Sequence, residues 1–143
     1  MLIKQISVFI ENKSGRLAEV TQILGQNDID ISALSIADTT DFGILRLIVN
    51  NPDKAEKALK DNEFTVSSTN VIAIAVEDRP GGLAKALTVL EKQGIGIEYM
   101  YAFVGKSSDE ALVIIRVDEA DKAIDVLAKG DIKVLSSESV YKL

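Results

Sequence analysis

The sequence predicts an α+β chain of two tandem β-α-β-β-α-β units, each a four-stranded antiparallel sheet with two helices on one face. Three observations predict it. First, the chain repeats itself: Ile6–Leu17 reads I-S-V-F-I-E-N-K-S-G-R-L and Ile72–Leu83 reads I-A-I-A-V-E-D-R-P-G-G-L. Second, each copy changes period at the same place, from strand-like alternation through an acidic-polar turn and a glycine into a helix that a leucine opens. Third, the match stays in register downstream. Asn27–Ile31 falls opposite Gln93–Ile97, Ile44–Val49 opposite Leu112–Val117, and Asp53–Ala55 opposite Asp121–Ala123. Such self-similarity sets two units, residues 1–69 and 70–143, and directs attention to one turn made twice.

The elements follow in order. Ile3–Glu11 alternates as a strand with Ile6, Val8 and Ile10 on one face. Asn12-Lys13-Ser14-Gly15 breaks it, and Ser14 has the chemistry of a helix cap. Leu17, Val20, Ile23 and Leu24 recur at helical spacing until Gly25–Asp30 ends the helix. Ile31–Asp38 and Ile44–Val49 read as strands joined across Thr39-Thr40-Asp41. Pro52 starts a second helix with Ala55, Ala58 and Leu59 inward, and Phe64-Thr65-Val66 closes the unit. The order recurs from Val71, with Leu83, Ala86, Leu87 and Leu90 on its first helix and Ala123, Val126 and Leu127 on its second.

Two right-handed βαβ crossovers put both helices of a unit on one face of its sheet, a ferredoxin-like arrangement. No linker parts the halves, since Ser67-Ser68-Thr69-Asn70 leads almost directly into the next strand. Ser136-Ser137-Glu138-Ser139-Val140 echoes that segment, which leaves strand exchange between the halves open as an expectation.

Composition narrows the function. The net charge of −6 divides evenly, seven basic against ten acidic residues up to Asn70 and nine against twelve beyond it, so neither half offers the basic surface that nucleic acid or anionic membrane requires. The 47% of apolar residues suffices for a core, with no run of membrane-spanning length. We therefore expect a soluble, cytoplasmic protein. With no Cys and no His, thiolate chemistry, the commonest general base and the usual zinc ligand are all missing. Neither catalytic residues nor a metal or cofactor is expected. Gly94-Ile95-Gly96 precedes a strand instead of following one, which excludes a dinucleotide fingerprint. Asp28–Ser32 starts like a calcium loop but has Ala33 and Thr39 where Gly and Glu are needed.

An apolar strand, then N/D-x-x-G-x-L at the mouth of a helix, then an I-x-I strand about a dozen residues on, resembles the ACT domain. Asn12-Lys13-Ser14-Gly15-Arg16-Leu17 and Asp78-Arg79-Pro80-Gly81-Gly82-Leu83 carry the motif, and two copies cover essentially the whole chain. The resemblance implies a stand-alone regulatory protein that binds a free amino acid where two ACT units meet edge to edge. The ligand would lie between the strand-to-helix loop of one unit and the second strand of its neighbour, in a homodimer that modulates a partner enzyme. Carried onto this sequence, the loop residues are Asn12, Ser14, Gly15, Arg16 and Leu17 in the first copy. They are Asp78, Arg79, Pro80, Gly81, Gly82 and Leu83 in the second. The second-strand residues are Asp30 and Ile31, then Gly96 and Ile97. The family often begins its second strand with Asn, so Asp30 and Gly96 both depart from the pattern and make the copies unequal.

The turn has a physical reading of its own. The first amides of a helix lack intrahelical partners and lie at the positive end of its dipole, so they favour an anion such as an α-carboxylate. Gly15, Gly81 and Gly82 clear the approach to the backbone, and Asp78, Asn12 or Asp30 supplies an acceptor for an ammonium group. The same residues also suit a tight turn and a capped helix with no ligand at all. Tyr99, Tyr101 and Phe103 alternate onto one sheet face where the first copy has Ala33, Ser35 and Ala37, which reads as an interface or as the border of a ligand.

Other classes stay in view. The first is a regulatory subunit of an amino-acid biosynthetic enzyme that acts through protein contacts. The second is a small acylphosphatase-like enzyme using Arg79 and Asn12, which lie in different repeats. The third is an RNA-recognition module, disfavoured because Phe9 is the lone aromatic on a first or third strand.

Overall fold

The computed structural model describes residues 1–11, 13–38, 41–105 and 109–143. By internal contacts these divide into two units, one of Lys4–Thr69 with Tyr141–Leu143, the other of Met1–Ile3 with Asn70–Val140. They are called the first and the second unit.

In the first unit β1 (Ile3–Glu11), α1 (Arg16–Gln26), β2 (Ile31–Asp38), β3 (Phe42–Val49), α2 (Pro52–Asp61) and β4 (Thr65–Glu77) follow in the expected order. The sheet runs β2-β3-β1-β4. Antiparallel register places Ile6 opposite Leu47 and Val8 opposite Leu45. That face meets Val20, Ile23 and Leu24 of α1 and Ala55, Ala58 and Leu59 of α2 in one core. Each large aliphatic side chain buried there contributes roughly 1.5–3 kcal/mol. α2 starts as its sequence dictates, with Asn51 Oδ1 accepting from Lys54 N at 3.2 Å and Pro52 at a position that needs no amide donor.

The second unit repeats the plan with α3 (Gly82–Lys92), β5 (Ile97–Ala102), β6 (Glu110–Val117), α4 (Ala120–Lys129) and β7 (Lys133–Val134). β4 pairs β6 on one side and β7 on the other, and β5 pairs β6. Ile72, Ile74 and Ile115 face Ala86, Leu90, Ala123 and Leu127 in its core. Both second strands carry a register shift at the same aligned step, between Ile31 and Ala33 and between Ile97 and Tyr99.

The four long helices among the described residues stop in the same way. Asp28, Glu63, Gly94 and Asp131 take left-handed φ of 58°, 68°, 70° and 60° just past the helix. The following amides of Ile29, Phe64, Ile95 and Ile132 then donate back to the carbonyls of Leu24, Leu59, Leu90 and Leu127 at 2.9–3.1 Å. This is a Schellman stop, with an apolar residue packed back on the helix end. Three of the four positions lack the glycine that such a φ favours. Glu63→Gly is therefore expected to stabilise the first unit by about 0.5–1 kcal/mol in urea unfolding, the relief of left-handed strain outweighing glycine's entropy. A loss of stability would show that the Glu63 side chain contributes more than its backbone costs.

Three expectations need correction. Phe64-Thr65-Val66 is not a separate closing strand, because β4 is one strand of thirteen residues running through Ser67–Asn70. The echo at Ser136–Val140 is not a strand: β7 is two residues long and α5 (Ser137–Tyr141) is helical, with Ser136 Oγ accepting from Ser139 N at 3.2 Å. Leu17 does not share the buried face of α1 and is 43% exposed, unlike the aligned Leu83, which packs on the core of its own unit.

Candidate functional site

The two strand-to-helix turns have nearly one backbone. Gly15 (φ 89°, ψ −10°) and Gly81 (φ 86°, ψ −8°) are both left-handed N-caps. The first helical hydrogen bonds run from Glu19 N to Gly15 O at 3.0 Å and from Lys85 N to Gly81 O at 3.1 Å. Neither helix has a side-chain cap, so Ser14, one residue before the cap, does not cap α1 as expected. Asn12 lies outside the described residues.

The chemistry around the turns differs. At the first, Arg16 pairs with Glu19 at 3.1 Å and with Glu11 at 3.6 Å, and its guanidinium lies 5.8 Å from the centre of the Phe64 ring. Lys13 holds Glu11 at 2.8 Å, and that hydrogen bond keeps the Glu11 carboxyl below the usual carboxylate range. A hollow of about 280 Å³ beside these residues is lined by Phe9, Phe42 and Phe64 as well as by Glu63. Glu19 stands in the first turn of α1, so its own charge already compensates the helix dipole there.

At the second turn the first turn of α3 has no acidic residue. A hollow of about 340 Å³ is bounded by Arg79, Pro80, Gly81, Gly82 and Lys85 on one side and by Glu110, Asp131 and Lys133 on the other. Arg79 pairs with Glu77, and Lys133 with Glu110 at 3.7 Å. Lys85, exposed, has no ion pair among the described residues. Leu83 packs on the second core. Gly82 is there for a close approach: a Cβ on it would stand 2.0 Å from the Glu77 carbonyl oxygen.

The second-strand residues lie apart from these turns. Glu11 is opposite Phe42 and Asp38 opposite Gly43, whereas Ile31 is opposite Val49, so Asp30 and Ile31 sit at the other end of their sheet from Gly15. Ile97, opposite Val117, is likewise remote from Glu77, which is opposite Glu110. One unit alone therefore does not join its loop to its own second strand. Asp30 and Gly96 share a constraint that the sequence reading missed. Asn50 Oδ1 accepts from Asp30 N at 3.0 Å, and Asp118 Oδ1 from Gly96 N at 3.2 Å. The signal was there, because Asn50 and Asp118 follow the aligned strands Ile44–Val49 and Leu112–Val117. Asp118 thus serves this clasp and is not simply a charge at the helix start.

Tyr99 and Tyr101 do share a face and stack with ring centres 6.4 Å apart. Among the described residues, no group of three or more Asp, Glu, His or Cys is placed to hold a metal ion, and no helix is long and apolar enough to cross a membrane.

This doubled fold, with the same glycine turn at the mouth of α1 and α3, is that of a pair of ferredoxin-like domains. The chain belongs to the ACT domain family: the family model described as an ACT domain pair matches residues 1–143. It is similar to the solved structure of protein BT0572 from Bacteroides thetaiotaomicron, with 50% identity, a TM-score of 0.94 and coverage of 100% of this chain and 98% of that one. It shares its fold with the ligand-free regulatory subunit of aspartate kinase from Thermus thermophilus at 19% identity and TM-score 0.63, covering 91% of this chain and 94% of that one. The corresponding Thermus flavus subunit aligns at 16% identity and TM-score 0.61 over 89% and 91%. No curated protein matches the sequence.

Proposed function

We propose that this ACT domain pair binds a free amino acid at the turn Asp78–Leu83 and thereby modulates a separate enzyme, with no chemistry of its own. The observation that carries the reading is Lys85. It is a cation without an ion pair among the described residues, in the first helical turn of α3, beside amides whose dipole no acidic side chain offsets. Glu77, Glu110 and Asp131 balance Arg79, Lys85 and Lys133 around the hollow. A zwitterion suits such a site better than a simple anion, its carboxylate toward Lys85 and its ammonium toward the acids.

In the proposed homodimer the second strand of a neighbouring ACT unit (Asp30-Ile31 or Gly96-Ile97) completes the site. The first turn, Ser14–Leu17, is the poorer binder because Arg16, Glu11 and Glu19 already neutralise one another. Modulation of a separate catalytic chain is supported by the solved regulatory subunits of aspartate kinase that share the fold. It requires a ligand that binds one packing of the domains better than another.

A thermal-shift screen of the twenty amino acids tests this. At least one is expected to raise the melting temperature with concentration. The shift should be lost in Lys85→Glu and kept in Arg16→Ala. If none shifts the transition, or if Lys85→Glu responds like the parent, the reading fails.

A further inference from the structure

We propose that the hollow beside the first turn binds an organic amine with an apolar body and no carboxylate, a ligand of another class than that of the second turn. The two turns share a backbone, but their hollows are lined differently. Around the second, Glu77, Glu110 and Asp131 stand against Arg79, Lys85 and Lys133. Around the first, Glu11, Glu19 and Glu63 stand against Arg16 alone. Lys13, outside the lining, holds Glu11, and Arg16 is shared between Glu11 and Glu19. Those four charges cancel, so Glu63 is the surplus. It is exposed just past the end of α2 and has no ion pair among the described residues.

Aromatic rings complete the lining. Phe9, Phe42 and Phe64 border the hollow, and the first two are 46% and 54% exposed. Phe9 lies opposite Ile44, and Glu11 opposite Phe42. Alternation from the buried Ile10 puts this group on the sheet face turned away from α1 and α2. There Phe9 and Phe42 also border a second hollow, of about 370 Å³, whose other lining residues are Ala37 and Ile44. The two rings thus stand between a charged space and a wholly apolar one. A ligand that spans both lays its aliphatic or aryl body against Ala37 and Ile44 and brings its ammonium past the rings toward Glu63. Ring faces attract cations, and the Arg16 guanidinium, 5.8 Å from the centre of Phe64, already uses one.

Charge selects the ligand. A carboxylate entering this hollow meets a surplus acid, and both nearby cations, Lys13 and Arg16, are already paired. The ammonium is therefore the group that gains, and an amine without a carboxylate is favoured over an amino acid of the same body. Phe9 and Phe42 belong to β1 and β3, so the outer edge of β2 stays available to a neighbouring unit. Nothing here depends on the turn at Asp78–Leu83.

The test titrates the full chain with 2-phenylethylamine and with 3-phenylpropionate, which has the same body and a carboxylate in place of the ammonium. The amine is expected to bind and to raise the melting temperature with concentration, and the acid to do neither. Glu63→Gln and Phe42→Ser, both at exposed positions, should each weaken amine binding by about tenfold. Lys85→Glu should leave it unchanged, which separates this hollow from the amino-acid site whatever the fate of that reading. Three results overturn the proposal: no binding of the amine, equal binding of the acid, or loss of amine binding in Lys85→Glu with Glu63→Gln unaffected. Melting of the unliganded variants near the parent temperature confirms that they fold. If Phe42→Ser does not fold, Glu63→Gln decides alone, and parent-like affinity in that variant also sinks the proposal.

Discussion

Replacing Gly82 by alanine is expected to destabilise the second unit by about 3 kcal/mol or more. The added Cβ would lie 2.0 Å from the Glu77 oxygen and 3.0 Å from its carbonyl carbon, both backbone atoms of β4 that cannot rotate aside. The turn is also closed tightly, with Gly82 N donating to Arg79 O at 3.0 Å and Arg79 N to Glu77 O at 2.9 Å. Relief would require opening the turn and unseating α3. The first unit supplies the control, because Arg16 holds the position aligned with Gly82. There Lys13 N to Glu11 O is as short, at 2.7 Å, but the bond at the aligned residue itself, Arg16 N to Lys13 O, lengthens to 3.4 Å, and the position admits a full side chain. Arg16→Ala should therefore change stability by less than about 1 kcal/mol. Urea unfolding monitored by circular dichroism decides between them. Equal effects of the two substitutions would show that the turns do not differ in this way.

Leu47→Ala is expected to cost about 2–5 kcal/mol in the same assay. Leu47 is wholly buried on β3, opposite Ile6 on β1 and Leu34 on β2, where its removal leaves a cavity between sheet and helices. Leu17→Ala, at an exposed position of the same unit, should fall within about 0.5 kcal/mol of the parent. A Leu47→Ala loss below 1 kcal/mol would mean that the core collapses onto the vacancy.

Periodicity made the helices and even an edge strand legible: Ile31–Asp38 has the bounds that its alternation implies. The long β4 was hidden because Ser67–Asn70 is polar and carries no apolar alternation; hydrogen-bonded pairing, which leaves no local pattern, extends the strand there. The tail misled for the opposite reason. Ser136–Val140 resembles Ser67–Val71 in letters, but a serine that caps a helix and one in a strand look alike in sequence. At the turns, the glycines were readable as backbone requirements and the repeat showed which to compare. Unreadable were the side-chain destinations: that Arg16 would fold back on Glu19 and Glu11, and that Lys85 would remain unpaired. These depend on distances across the fold, which spacing along the chain does not encode.

The uniform way in which the helices stop has a consequence for how such a chain can change. Each stop sets the point at which the next strand enters its sheet, through one backbone bond and one apolar anchor, Ile29, Phe64, Ile95 or Ile132. The stops of α1 and α3 lie at the far ends of the helices whose starts differ most, Ser14 against Pro80 and Arg16 against Gly82, whereas the stops of α2 and α4 reach those starts through Phe64 and Asp131. In α1 and α3 the bond that fixes the next strand's entry is thus a whole helix away from the turn proposed for recognition, so substitutions at that turn leave the entry of β2 and β5 in place.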